Sequence, residues 1–179
     1  MTTILGLSGS LRRASFNAGL LRAAAEVAPR GVTVSIGSIR DVPLYDADLE
    51  AETGLPAAVA TLQAQLADAA GLLLVTPEYN NGIPGVFKNA IDWMSRGTGL
   101  TLFAGKPVAL IGASPGGFGT LLAQAQWLPV LRTLRTDFWA EGRMQVSRAK
   151  TVFDEHGTLT DDATRQQLAA FIQGFAARL

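Results

Sequence analysis

The sequence predicts an α/β chain: a doubly wound, five-stranded parallel sheet of order 2-1-3-4-5 with helices on both faces. Three observations lead there. Short continuous apolar runs alternate with segments of helical periodicity, as strands covered on both sides require. Five such units fit the 179 residues, a length expected to form one domain over 1–179. The unusual loops follow the first, third and fourth runs, and this order brings those loops to one crevice beyond the carboxyl ends of the strands.

The first run, Ile4 to Leu7, leads through Gly9-Ser10-Leu11-Arg12-Arg13-Ala14-Ser15-Phe16-Asn17 into a helix expected from Asn17 to Ala28. Leu20, Leu21, Ala24 and Val27 give that helix an apolar face, and Pro29-Arg30-Gly31 ends it. A loop between a strand and a helix N-terminus offers unpaired N–H groups and the positive end of the helix dipole. Here it adds Ser10, Ser15 and Asn17 and the guanidinium groups of Arg12 and Arg13. Two readings fit it: a phosphate cradle, or an ordinary capped turn with solvated charges. No Gly-x-Gly-x-x-Gly follows the first strand and no Gly-Lys-Ser/Thr occurs, which excludes the familiar dinucleotide and triphosphate loops. A phosphate reading therefore means a monophosphate.

A second strand is expected over Val32 to Ile36, then an irregular connection from Gly37 to Gly54 that suits either a binding loop or a surface loop. Pro56 suits the first turn of a helix from Ala57 to Ala70, whose apolar face is Val59, Leu62, Leu66 and Ala69. The third strand, Gly71 to Thr76, is the most apolar and belongs at the sheet centre. It empties into Pro77-Glu78-Tyr79-Asn80-Asn81-Gly82-Ile83-Pro84-Gly85-Val86, followed by helical residues to Met94. Pro84 suits the first turn of that helix, and Asn81-Gly82 is expected to supply the positive φ of a sharp turn.

Beyond the loop Arg96 to Thr101, a fourth strand spans Val108 to Ile111, and Gly112-Ala113-Ser114-Pro115-Gly116-Gly117-Phe118-Gly119-Thr120 follows. Its glycines serve either close approach of a ligand to the main chain or a flexible turn. The next helix, Leu121 to Leu134, contains Pro129, so a kink or split near Leu128 is expected. Met144 to Val146 forms a weak fifth strand. Asp154 to Gly157 is a polar turn with a solvated His156, and Thr160 is expected to cap a last helix ending near Ala177.

Composition narrows the chemistry. Fifteen Lys and Arg balance fifteen Asp and Glu, with no basic block to follow a nucleic-acid backbone, so no nucleic-acid partner is expected. With no cysteine and one histidine, thiol nucleophiles, thiolate metal sites and histidine-rich metal sites are excluded. No apolar stretch approaches the roughly 20 residues of a membrane helix, and no secretory leader precedes the first strand. A cytoplasmic protein without a membrane partner is the expectation.

The opening loop, Pro77-Glu78-Tyr79-Asn80-Asn81-Gly82-Ile83-Pro84-Gly85, Lys88-Asn89-Ala90-Ile91-Asp92-Trp93 and, more loosely, Ser114-Pro115-Gly116-Gly117 resemble the NAD(P)H-dependent FMN reductase family, the flavodoxin-like quinone, azo-dye and chromate reductases. The resemblance covers nearly the whole chain. It implies FMN as cofactor, with NADPH or NADH as co-substrate. Ser10, Arg12, Ser15, Phe16 and Asn17 would enclose the FMN phosphate. Pro77, Glu78, Tyr79, Asn80 and Gly82 would lie against the isoalloxazine ring, with Ser114 and Gly117 on its other flank. It also implies a homodimer or homotetramer joined through the helix after the Pro-Glu-Tyr-Asn loop. Arg135 to Glu141 departs from the pattern, which has a Pro-containing approach to strand five.

The implied chemistry is flavin-centred, which suits a chain so poor in candidate acids and bases. A ping-pong cycle is expected: hydride passes from NAD(P)H to flavin N5, then to a quinone, azo compound, metal oxyanion or free flavin. Backbone N–H groups from Glu78 to Gly82 would stabilise charge on the reduced ring. The alternative is a flavodoxin-type electron carrier or flavin-dependent sensor serving a partner protein. A net charge of zero counts against the carrier, since such carriers dock through acidic surfaces.

Overall fold

The computed structural model describes all 179 residues. The chain runs β1 (Thr2–Ser8), α1 (Phe16–Glu26), β2 (Val32–Gly37), α2 (Ala47–Thr53), α3 (Ala57–Asp68), β3 (Gly71–Val75), α4 (Gly85–Met94) and α5 (Gly99–Phe103). It continues with β4 (Pro107–Ala113), α6 (Leu121–Thr133), β5 (Asp137–Phe138), β6 (Met144–Val146) and α7 (Asp162–Ala176). Strands pair in the order β2-β1-β3-β4-β5, all parallel, and β6 also pairs with β4. This is the flavodoxin-like order expected from the alternation of strand and helix.

Side-chain alternation divides the core in two, because successive residues of a strand point to opposite faces. Ile4, Leu73, Val75, Ala109 and Ile111 pack on one face with α1 and α7, and Leu5, Leu7, Leu72, Leu74, Val108 and Leu110 pack on the other with α3, α4 and α6. All five residues of β3 are buried, as the central strand of a sheet covered on both sides must be.

Several expectations need correction. The fifth strand is two short pieces on the same edge of β4: Asp137–Phe138 pairs with Pro107 and Val108, and Met144–Val146 with Ile111 to Ala113. The interruption runs from Trp139 to Arg143, overlapping the end of the departing stretch Arg135–Glu141, which holds the first piece. There Arg135 takes a positive φ of 58°, and buried Trp139 leaves the strand line to stack at 5.8 Å on Phe175 of α7. The helix through Pro129 is not split. Pro129 removes the N–H that would reach the Ala125 carbonyl, but both residues are exposed, so that carbonyl is open to solvent while Trp127 and Leu131 hold the buried side. Pro56 and Pro84 precede their helices as caps, each at φ near −56°. Asp161, not Thr160, caps α7, accepting from the backbone N–H and the hydroxyl of Thr164 at 2.7 Å each. The connection between β2 and α3 contains α2, capped by Asp46, and the loop after Arg96 contains α5.

Candidate functional site

The site lies at the carboxyl ends of β1, β3 and β4. Ser15 caps α1 by accepting from the Ala18 N–H at 3.3 Å, which leaves its hydroxyl hydrogen free. The backbone N–H groups of Arg13, Ala14, Ser15, Phe16 and Asn17 have no acceptor within the chain. Such a run of unpaired donors at a helix N-terminus is an anion site in waiting. The Arg12 guanidinium lies 5.1 Å from the Phe16 ring centroid, a cation–π contact that restrains it beside the loop.

Asn17 has another task. Its buried side chain donates to the Ala113 carbonyl and accepts from the Ala113 N–H, both at 2.8 Å, tying the start of α1 to the end of β4. Its backbone N–H and the second hydrogen of its side-chain amide remain for a ligand.

The loop after β3 is held just as firmly. Thr76 accepts from the indole N–H of Trp127 at 3.1 Å and donates to the Pro77 carbonyl at 2.8 Å. Tyr79 and Gly82 exchange both backbone hydrogen bonds, at 3.1 and 3.0 Å, around a two-residue turn. Asn80 and Asn81 carry the positive φ values, 51° and 62°; Gly82 does not. Paired positive φ at both central positions defines the primed hairpin turn, which asparagine tolerates. The expected donor set is corrected accordingly: the Tyr79 and Gly82 amides serve the turn, while those of Glu78, Asn80 and Asn81 have no acceptor in the chain.

The Glu78 carboxylate is not idle. Its Oε2 accepts from the N–H groups of Leu122 and Ala123, 2.9 Å each, and so caps α6 from a neighbouring loop. The loop after β4 is fixed from the far side by Ala149 N–H to Ser114 carbonyl and Arg148 N–H to Gly116 carbonyl, both 3.0 Å. These bonds bring Lys150 of the short 3₁₀ turn Ala149–Thr151 to the opening loop. Gly112 permits this junction, since a Cβ there would collide with the Thr76 carbonyl and the Thr120 hydroxyl.

A cavity of about 290 Å³ results. Ser10, Arg12, Ser15, Phe16, Asn17, Pro77, Glu78, Tyr79 and Ser114 all line it, so nine expected site residues converge. Asn80, Gly82 and Gly117 lie off its wall. Lys150 lines it and was missed from sequence, although a cation just beyond the last strand of a doubly wound sheet ends at the same crevice. Lys88-Asn89-Ala90-Ile91-Asp92-Trp93 serves structure: Asn89 and Trp93 both donate to the Pro43 carbonyl, at 2.7 and 3.0 Å, and Asn89 accepts from the Tyr45 N–H. His156 is exposed, as expected. No group of acidic or histidine side chains is arranged to hold a metal, and no helix is long and apolar enough to cross a membrane.

Residues 2–151 match the NADPH-dependent FMN reductase family. The chain is 39% identical over 169 residues to a 2-hydroxy-1,4-benzoquinone reductase of a Burkholderia species, covering 94% of this chain and 91% of the relative. It is 40% identical to an NAD(P)H-dependent FMN reductase of Pseudomonas aeruginosa, covering 95% and 91%. Among solved structures it resembles the flavoenzyme NAD(P)H:(acceptor) oxidoreductase FerB of Paracoccus denitrificans, with a TM-score of 0.86 and 33% identity over 99% of this chain and 96% of that one.

Proposed function

The chain belongs to the NADPH-dependent FMN reductase family, and from that premise we propose an NAD(P)H-dependent FMN oxidoreductase that reduces quinones or similar small acceptors at the cavity described above. The observation that carries the site assignment is the opening loop: consecutive unpaired amides from Arg13 to Asn17, with Arg12 and Lys150 on the same cavity.

The residues fit the cofactor. Ser10, Ser15, Arg12, Lys150 and the free amides of Phe16 and Asn17 would hold the FMN phosphate, a donor set with no acid on it. Pro77, Glu78, Tyr79 and Ser114 would border the isoalloxazine ring. When bound, FMN supplies two-electron hydride chemistry, taking from NAD(P)H and giving to the acceptor in alternate half-reactions. The protein positions and polarises. Unpaired amides at Glu78, Asn80 and Asn81 stand ready to donate to the polar edge of a ring, where fixed donors favour accumulating negative charge without rearranging. The Glu78 side chain acts through structure, by locking the loop to α6.

On this reading the chain works as one unit, in the cytoplasm where reduced nicotinamide coenzymes are supplied, and as a dimer or tetramer. Exposed Tyr79, Val86, Phe118, Leu121 and Leu122, all on segments bordering the site, support self-association of that face.

The test is an anaerobic absorption spectrum of the FMN-loaded protein before and after NADPH or NADH, followed by a quinone. Bleaching of the flavin band and its return with quinone are expected. Bound FMN that no nicotinamide coenzyme bleaches would sink the enzymatic reading.

A further inference from the structure

A second cavity, also of about 290 Å³, lies behind the opening loop, between α1 and the chain leaving β2. Its floor is apolar, made partly by Leu21, Ile36 and Ile39. Its polar wall is Ser8, Ser10, Ser38, Arg22 and Arg40, with no carboxylate. Neither arginine is in an ion pair. Each is oriented by one backbone carbonyl, Arg22 by Gly157 at 3.1 Å and Arg40 by Leu11 at 2.8 Å, so the remaining N–H groups of both forks are free. The Ser8 hydroxyl oxygen is buried on this wall without a partner, a costly arrangement that an incoming acceptor or donor would relieve.

We propose that this cavity takes the adenosine 2′-phosphate end of NADPH and so sets the preference for NADPH over NADH. The chemistry matches part by part. Two cations and three hydroxyls suit a phosphomonoester dianion, which recognises planar guanidinium forks through paired hydrogen bonds. The apolar floor suits an adenine face. Ser10 lines this cavity and the first one, so both open against the same loop, and one extended co-substrate would span the two. The proposal rests on the reductase reading, because only that reading brings a nicotinamide coenzyme to the protein.

Calorimetric titration of the FMN-loaded protein with adenosine 2′,5′-bisphosphate, and separately with adenosine 5′-monophosphate, tests it. The bisphosphate should bind roughly tenfold tighter or more, the difference expected for charge-assisted hydrogen bonds to one phosphate. Ser38→Glu places a negative charge on the exposed rim and should erase that preference, with the melting temperature and FMN fluorescence quenching unchanged. Arg22→Ala combined with Arg40→Ala should do the same and lower the NADPH-to-NADH ratio of kcat/KM through KM. Equal affinities in the unaltered protein, or a preference that survives both sets of substitutions, would overturn the proposal. FMN quenching separates the two readings: a protein that fails to quench FMN refutes the reductase site, whereas one that quenches FMN and ignores the 2′-phosphate refutes this cavity alone.

Discussion

Asn17 and Ala113 are joined by two 2.8 Å hydrogen bonds, one given and one received by the same side chain, which lock the start of α1 to the end of β4. The pair closes the floor between the first and third site loops. Asn17→Asp keeps the shape but sets a carboxylate against the Ala113 carbonyl. A buried acceptor left facing an acceptor costs about 1–3 kcal/mol. Urea denaturation should show a loss of that size, with weaker FMN retention. An unchanged midpoint would show that the junction is held by packing alone.

The Glu78 carboxylate divides its two bonds between Leu122 and Ala123, and this fixes what its removal does. Glu78→Ala leaves two amides of α6 without a cap and frees the loop after β3. A stability loss of about 1 kcal/mol is expected, by analogy with other helix caps, together with a raised Kd for FMN. Glu78→Gln keeps an oxygen acceptor and should recover most of both. Equal effects of Ala and Gln would point to the charge, and not the cap, as the working element.

Arg12 on the opening loop and Lys150 on the turn after β6 line the same cavity, the first restrained by Phe16 and the second carried in by the 3₁₀ turn. Both are exposed, so solvent screening moderates their pull on a phosphate. Each single alanine substitution should raise the Kd for FMN by roughly tenfold while leaving riboflavin, which lacks the phosphate, unaffected. The melting temperature of the ligand-free protein should not move. Matched losses for FMN and riboflavin would remove these cations from the phosphate site.

What could be read in advance followed from local rules. Apolar runs and helical periodicity located β1 to β4 and β6 but not the two-residue β5, because burial on both faces leaves strands such as Leu72 to Val75 no polar positions, whereas Asp137–Phe138 lies at the sheet edge. The loops after β1, β3 and β4 stood out because glycine, asparagine and serine cluster there. Tertiary relations were not legible. Nothing near Glu78 in the chain announces Leu122, 44 residues on, as its partner. Asn17 looked like a ligand because a helix N-terminus usually turns its polar groups outward; its bond to Ala113 depends on strand order. The broken fifth strand is set by Trp139 packing on Phe175, a contact across the sheet edge that no window of sequence contains.

Acid should weaken the support beneath α1 and the cap of α7. Asp154 accepts from the amides of Thr158 and His156, at 2.7 and 3.0 Å, and holds the turn whose Gly157 carbonyl receives Arg22 from α1. Asp161 caps α7 through the hydroxyl and amide of Thr164. Hydrogen bonds to the charged forms hold both carboxyls below the ordinary aspartate value, Asp154 chiefly through the Thr158 amide and Asp161 chiefly through the Thr164 hydroxyl. A depressed folded pKa means that the unfolded chain binds protons first. The stabilisation is therefore complete above the unfolded value near 3.9, and is lost as pH falls from there through the lower folded values. Melting temperatures measured from pH 6 downward, about the span that brackets this change, should fall steeply below pH ~4. In Asp154→Asn combined with Asp161→Asn, that part of the slope should flatten, with a lower plateau at neutral pH. A double variant that keeps the full acid slope would assign the acid sensitivity to carboxylates elsewhere.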